Sequence, residues 1–509
     1  MEGNHSLLRL VLHLGSRAQG APRSTPLLCE DPTNCRTTWD ITWSCLVTIF
    51  SCTWLAIHPN VPHPSDSMTR VYLRRLQTVL MALIAPELII LWAARQWIFA
   101  NKLSKKFCKY GWTQTHGFFA LMGGFMLWSD YRPSKIVTPY TLAPHELEKY
   151  ILRGDIDITE EEIQDRSKGD ILTKGLILLQ SGWFIIQFVA RCIEQLPSTE
   201  LEVLTIAFAV LSIGTYGLWW NKPLNVQCAV NVRKTRYPHH NRYSDGEAEM
   251  LLPTHLYFFT NRGGKAESAA KFRQSINSDS FREVAEVEGH DRIRRVWNAM
   301  QATRRRTADF VARKSKQTNT YFQTSSPRRV LLDTVLFIPT ALWAFCITPF
   351  MWVIQGHRAT LWSGSERGMK VPTFYYGDLD RKERWYAVLA AVSSAVAFGV
   401  LHFLAWSFHF ASSSERLLWR ISVVVVACTP ALLALMIFCA FAVDRKLMSA
   451  LPPRVYQCLG TLLVFFSALA VCLYVAARVL LIVLAFSSLR SLPPGVHSTV
   501  NWTTFIPHI

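Results

Sequence analysis

DILTKGLILLQSGWFIIQFVARCIEQLPSTELEVLTIAFAVLSIGTYGLWWNKPL, residues 170–224, is the stretch whose reading decides the fold. It holds two apolar segments, each close to the ~20 residues a helix needs to cross a bilayer. The polar bend Glu194-Gln195-Leu196-Pro197-Ser198-Thr199 turns the chain back between them. Each segment carries one polar stripe. Gln180, Gln187 and Arg191 stand seven and four residues apart and project from one helix face. Glu202, Thr205, Ser212 and Tyr216 share a face of the second segment, which ends in Trp219-Trp220, a pair suited to a membrane interface. Two facing helices with inward polar stripes predict a buried polar core in a membrane protein.

The rest of the chain agrees with that class. Of 509 residues, 50% are hydrophobic and 18% charged. About eight apolar runs are long enough to span: 41–57, 78–99, 171–192, 200–220, 330–354, 386–409, 420–443 and 459–487. Helices satisfy their own backbone in lipid and open strands do not, so the expected fold is all-α and polytopic, with about eight transmembrane helices. The run 111–128 begins with Thr113-Gln114-Thr115-His116 and contains Gly123-Gly124, which suits a re-entrant or interfacial segment better than a span.

The expected organisation is an N-terminal tail (1–40), a first helical group with the re-entrant segment (41–129), an acidic soluble loop (130–169), the central hairpin (170–220), a basic cytosolic loop (221–329), a four-helix group (330–487) and a C-terminal tail (488–509). Within the acidic loop, Thr159 with Glu162 reads as a capping box that starts a short helix.

The net charge is +18, and residues 221–328 hold twenty Lys/Arg against ten Asp/Glu. Without aromatic interleaving or a nucleic-acid-binding module, this reads as a positive-inside loop and not as a nucleic-acid surface. Its partner is the lipid bilayer, with Arg304-Arg305-Arg306 and the loop around them against anionic headgroups. Placing this loop in the cytosol with eight spans puts both termini and Lys102 to Lys109 there, but leaves Arg70, Arg74 and Arg75 outside. A ninth span at 111–128 reverses these assignments and puts Cys29 and Cys35 in the lumen. Eight spans is the reading preferred on sequence.

Ionisable groups inside spans are costly and mark functional sites by default. Glu87 lies near the middle of the second span and Arg95 near its end; His402 lies in the sixth and Arg478 deep in the eighth. With Gln180, Gln187, Arg191, Glu202, Thr205 and Tyr216 they are the expected lining of a polar cavity that takes a small-molecule or lipid ligand. The alternative for Glu87 is a structural ion pair with Arg95 or Arg191. No metal-ligand spacing, catalytic order or cofactor fingerprint stands out, so no catalytic, metal or cofactor site is expected. Cys29 and Cys35 flank a polar segment and either form a disulfide in an oxidising lumen or stay as reduced thiols.

The strings CRTTWDITWSCLVTIFSCTWLAIHPNVP (35–62), SKGD (167–170), LEVLTIAFA (201–209), YGLWWNKPLNV (216–226), LHFLAWSFHF (401–410), ERLLWR (415–420) and the terminal FIPHI (505–509) together resemble a large, mostly uncharacterised family of fungal multi-pass membrane proteins. The resemblance covers nearly the whole chain. It implies membrane location and a fungal source, and it carries no activity or site residues. The functional expectation is a transporter or channel for a small molecule or ion. An intramembrane enzyme acting on a lipid or isoprenoid-like substrate and an accessory or sensory membrane protein are the alternatives.

Overall fold

Thr37 opens the first helix, α1 (Thr38–Phe50): its side chain accepts from the Asp40 N–H while Asp40 accepts from the Thr37 N–H, a capping box. A π-helical turn, Ser51–Leu55, extends it. The computed structural model describes residues 35–128, 139–167, 171–233, 353, 368–442 and 453–500, all within one compact unit formed by Met1–Arg236 and Cys346–Ile509. After α1 come α2 (Met68–Ile84), α3 (Pro86–Lys106), α4 (Gln114–Leu121), the strands β1 (Phe125–Trp128) and β2 (Tyr140–Thr141), α5 (Pro144–Ile151) and α6 (Glu160–Asp165). Then follow α7 (Ile171–Ile193), α8 (Glu200–Leu218), β3 (Val230–Arg233), α9 (Arg381–His402), α10 (Ser413–Ala442) and α11 (Pro453–Ser487).

The protein is mostly helical, though not all-α, since β1 pairs antiparallel with β2 and parallel with β3. Five helical stretches are long and apolar enough to cross a membrane: Lys174–Ile193, Glu200–Leu218, Arg381–Ala405, Ser413–Met436 and Phe465–Arg490. Eight such helices are not found among the described residues. The run 330–354 lies outside them apart from Val353. The run 111–128 is a short helix and a strand, buried almost throughout, with α4 packed so tightly on α3 that a Cβ at Gly117 would meet the Ala100 carbonyl oxygen at 2.5 Å. The run 78–99 is not one helix, because α2 and α3 meet at Ala85 with a bend of 113°.

Hydrogen bonds sort the helix ends into two groups. At the first end, the Arg36 N–H donates to the His497 carbonyl at 2.8 Å, and the Arg36 guanidinium meets Glu202 at 2.5 Å. Arg191, on the turn before the bend, donates to the carbonyls of Pro197, Val496 and Ser498. The start of α1, the bend between α7 and α8 and the chain beyond α11 are therefore clamped together. At the second end, Arg75 donates to the Trp54 carbonyl and to Asn225, Asn60 to the carbonyls of Pro372 and Thr373, and Lys102 to Asp380 and Glu383. Both the start of α2 and the end of α3 bond to residues of this second end.

The outer faces are apolar. On α7, Leu176, Leu179, Trp183, Ile186, Val189 and Ile193 form an exposed stripe at helical spacing, and α11 exposes Phe465, Phe466, Leu469, Leu473 and Val483. Inside, α8 and the first half of α3 are almost wholly buried. Close approach of small residues brings α9 to α10, where a Cβ on Gly399 would lie 2.5 Å from the Ala427 Cα.

Two consequences are measurable. The Arg36–Glu202 pair is largely buried, with side chains 18% and 6% exposed. Arg36→Gln leaves that carboxylate short of a partner and is expected to cost about 3 kcal/mol, read as a fall in the thermal midpoint of the solubilised protein. Asp66 fastens the approach to α2. Burial pushes its carboxyl up, but the bonds from Arg74 and the His63 N–H, with Lys370 and Arg74 nearby, more than offset this and hold it below the usual range. A lowered folded pKa contributes stability above the unfolded value of ~3.9, lost as pH falls through the folded one. Asp66→Asn should therefore unfold at lower temperature than the parent at pH 7, with the difference closing as pH falls from the unfolded value through the lower folded one.

Candidate functional site

The α2–α3 break follows from local sequence. Pro86 has no N–H to continue the helix, and it disfavours helical geometry at Ala85, which sits at φ −142°, ψ 71°. The break leaves the last carbonyls of α2 without helical donors in the middle of the bundle. Arg478, fully buried on α11, takes that place: its Nε donates to the Ile84 carbonyl at 2.7 Å and its Nη2 to the Leu83 carbonyl at 2.9 Å. The guanidinium lies over the Phe398 ring at 4.0 Å and 5.6 Å from the Phe208 centroid, so aromatic faces replace water around it.

On the other side of the break Glu87 sits in the first turn of α3, where the helix dipole favours a negative charge. Its Oε1 accepts from the Tyr474 hydroxyl at 2.7 Å. Tyr474 and Arg478 are four residues apart on one face of α11, so a single helix serves both halves of the break. The carboxylate and guanidinium attract one another without a direct ion pair between them. Next to Arg478, the His402 Nδ1 lies 2.7 Å from the Phe398 carbonyl, and its ring is 4.6 Å from the Phe398 ring. A carbonyl only accepts, so Nδ1 carries the proton and the neutral imidazole offers Nε2 as an acceptor.

Three buried atoms of this cluster have no partner: Glu87 Oε2, Arg478 Nη1 and His402 Nε2. They provide an acceptor, a donor and an acceptor, a set able to hold a water or pass a proton. A cavity of about 20 Å³ opens beside the break, lined by Ala82, Pro86, Phe208, Ser212 and Thr215. That is room for about one water.

The other expected site residues fall into different groups. Arg191 and Glu202 belong to the terminal clamp; Glu202 also accepts from the Thr199 N–H at 2.8 Å and so caps α8. Thr205 donates back to the Leu201 carbonyl, and Gln180 donates to Thr48 on α1. Gln187 is half-buried on α7. Tyr216 is buried with its ring 5.6 Å from that of His58. Arg95 donates to the Val353 carbonyl and lies 4.7 Å from the Tyr376 ring, so it does not pair with Glu87. Cys35 is disulfide-bonded, and Cys29 lies outside the described residues. Among the described residues no group of three or more His, Cys, Asp or Glu side chains is placed to hold a metal ion.

Two participants escape a reading by charge within spans. Tyr474 is uncharged, and its one signal is the four-residue spacing to Arg478. Lys222 follows the Trp219-Trp220 pair and is fully buried, 4.3 and 4.6 Å from the Trp219 and Trp92 rings. It donates to the His58 carbonyl at 2.5 Å and to Gln96 at 2.9 Å, while Gln96 donates to the Tyr375 carbonyl. Burial pushes the amine well below the usual lysine range; the two indole faces and two oxygens oppose that shift. This network closes the second end of the bundle above the break.

No characterised protein and no solved structure shows significant similarity to the chain. A model for a family of unknown function (DUF8562) matches residues 8–239 and 377–509, which include both halves of the break and the helix that bridges them. The chain belongs to this family.

Proposed function

We propose that the protein is an integral, multi-pass membrane protein that translocates ions, with the α2–α3 hairpin as a re-entrant element and the proton as the ion its tip handles. The observation that carries the reading is the break itself. Helices interrupted in mid-membrane recur at transporter ion sites; here the interruption sets a carboxylate at the new N-terminus and a buried guanidinium on the preceding carbonyls. A re-entrant backbone is tolerated at that depth only where protein satisfies it, and Arg478 does so for the Leu83 and Ile84 carbonyls.

Charge distribution supports the same orientation of the whole. With α2 and α3 both reaching the second end, Arg70, Arg74 and Arg75 join Lys102, Lys105, Lys106 and Lys109 on one side, together with Lys222 and the start of the basic segment beyond it. All fit a cytosolic face under the positive-inside rule. The disulfide-bonded Cys35 lies at the opposite end, as an oxidising compartment requires. The conflict that the arginines pose for eight continuous spans disappears.

The scale of the site decides the cargo. Three unpartnered polar atoms, buried among helices, suit a proton or one water better than a metabolite. Glu87 is the group whose protonation would alternate, with Arg478 holding the negative state and Tyr474 orienting Oε1.

In liposomes under a potassium diffusion potential, with an entrapped pH dye, the parent is expected to pass protons well above protein-free vesicles. Glu87→Gln, which keeps shape and the Tyr474 bond, should lower that rate at least about tenfold, one lost order being ~1.4 kcal/mol. No flux above protein-free vesicles, or equal flux from the variant, contradicts the reading. Arg478→Leu should instead fail structurally. It strands two carbonyls in the core, costing about 2–4 kcal/mol, and should show as lost yield of monodisperse protein.

A further inference from the structure

A second cavity, of about 350 Å³, lies apart from the break, where the start of α2 faces the chain around Asn60, Asn225 and Lys370. Its polar lining is cationic: Arg74, Arg75 and Lys370, with Asn60, Asn225 and Gln227. The carboxylate of Asp66 is already held by Arg74, with Arg70 and Lys370 each 3.9 Å away, so the described residues of the cluster keep an excess of positive charge.

Arg75 is set rigidly. Nη1 donates to Asn225 Oδ1 and Nη2 to the Trp54 carbonyl, both at 2.9 Å, and the guanidinium sits 5.0 Å from the Trp54 ring. Asn225 adopts a left-handed φ of 55°, a conformation asparagine tolerates better than most residues. The remaining Arg75 donor, Nε, is buried without a partner, and so is the acceptor Asn60 Oδ1. A fixed guanidinium with a spare N–H, beside a lysine, fits a phosphate monoester, whose P–OH can donate to the unpaired amide oxygen.

The apolar surroundings indicate where the rest of such a ligand goes. Met68 and Tyr72 line the cavity and are also exposed on α2. Leu76 and Leu80 continue the row at four-residue spacing, both exposed. The pocket thus opens onto a greasy track about as long as three helix turns, ~16 Å.

We infer that this pocket binds the phosphate headgroup of an anionic phospholipid, with its acyl chains along the Met68–Tyr72–Leu76–Leu80 row. The inference stands on side chains separate from the Glu87 cluster and does not depend on ion translocation. A zwitterionic choline headgroup would set a fourth cation among three and should be rejected.

The test is native mass spectrometry of the full chain in detergent, offered phosphatidate and phosphatidylcholine in equal amounts. Phosphatidate should be retained about tenfold over phosphatidylcholine. Lys370→Gln and Arg75→Gln should each reduce that retention about fivefold or more. Lys370 is a rim residue with a side chain 43% exposed, so its variant keeps the test open if Arg75→Gln does not fold. Arg70→Gln removes the same charge from outside the lining, with a side chain 71% exposed, and should leave retention unchanged. Inorganic phosphate at tenfold excess should not displace the lipid. Retention by Lys370→Gln equal to the parent, an equal loss in Arg70→Gln, or displacement by inorganic phosphate would each overturn the proposal, the last by showing that free phosphate is the ligand.

Discussion

A helix broken away from water must find donors for its last carbonyls within the protein, at several kcal/mol for each group left unpaired. The rest of this structure depends on that constraint. Pro86 forces the break, and Arg478 makes it tolerable by donating to Leu83 and Ile84. The guanidinium in turn needs company in an apolar core, which Phe398 and Phe208 supply with their ring faces. Placing those rings requires α9 and α8 to close on α11, and the tight approach at Gly399 and Ala427 draws α10 into the same packing. Glu87 then sits at a helix N-terminus that favours its charge, across the break from the cation.

The two ends of the bundle have different characters. One is a hydrogen-bonded clamp, Arg36 on Glu202 and Arg191 on three carbonyls, beside the disulfide-bonded Cys35. The other is basic and porous, with the 350 Å³ pocket near the start of α2 and the Lys222 network near the end of α8. The 350 Å³ pocket lies at the outer half of the α2–α3 pair and the Glu87 cluster at its bend.

Much of this is legible in the sequence. Glu87, His402 and Arg478 stand out because ionisable groups in apolar runs are costly; Arg478 and His402 meet at Phe398, and Glu87 lies across the break, bonded to Tyr474. The bend at 194–199 is equally plain, since Pro197 and the Thr199–Glu202 capping pair punctuate two apolar runs. What hydropathy cannot convey is direction. A window over 78–99 sums apolar character and is blind to the reversal at Ala85, although Pro86-Glu87 was the local signal for it. Helix-face arithmetic has a similar limit: it aligns Gln180, Gln187 and Arg191 but does not say which neighbour each meets, and Arg191 meets the C-terminal chain while Gln180 meets α1. The parallel pairing of Phe125 with Val230 joins residues too distant in sequence for periodicity to link.

The central claim is that α2 and α3 form a re-entrant hairpin and not a span. Cysteines introduced as Arg70→Cys and as Lys105→Cys, each in a Cys108→Ala, Cys228→Ala background, can be reacted with a membrane-impermeant maleimide in sealed vesicles of one orientation, with the background protein as the blank. Reaction of both positions from the same face, that of the basic segment beyond Lys222, is the result this account predicts. Reaction from opposite faces would make 68–106 a kinked span and contradict it.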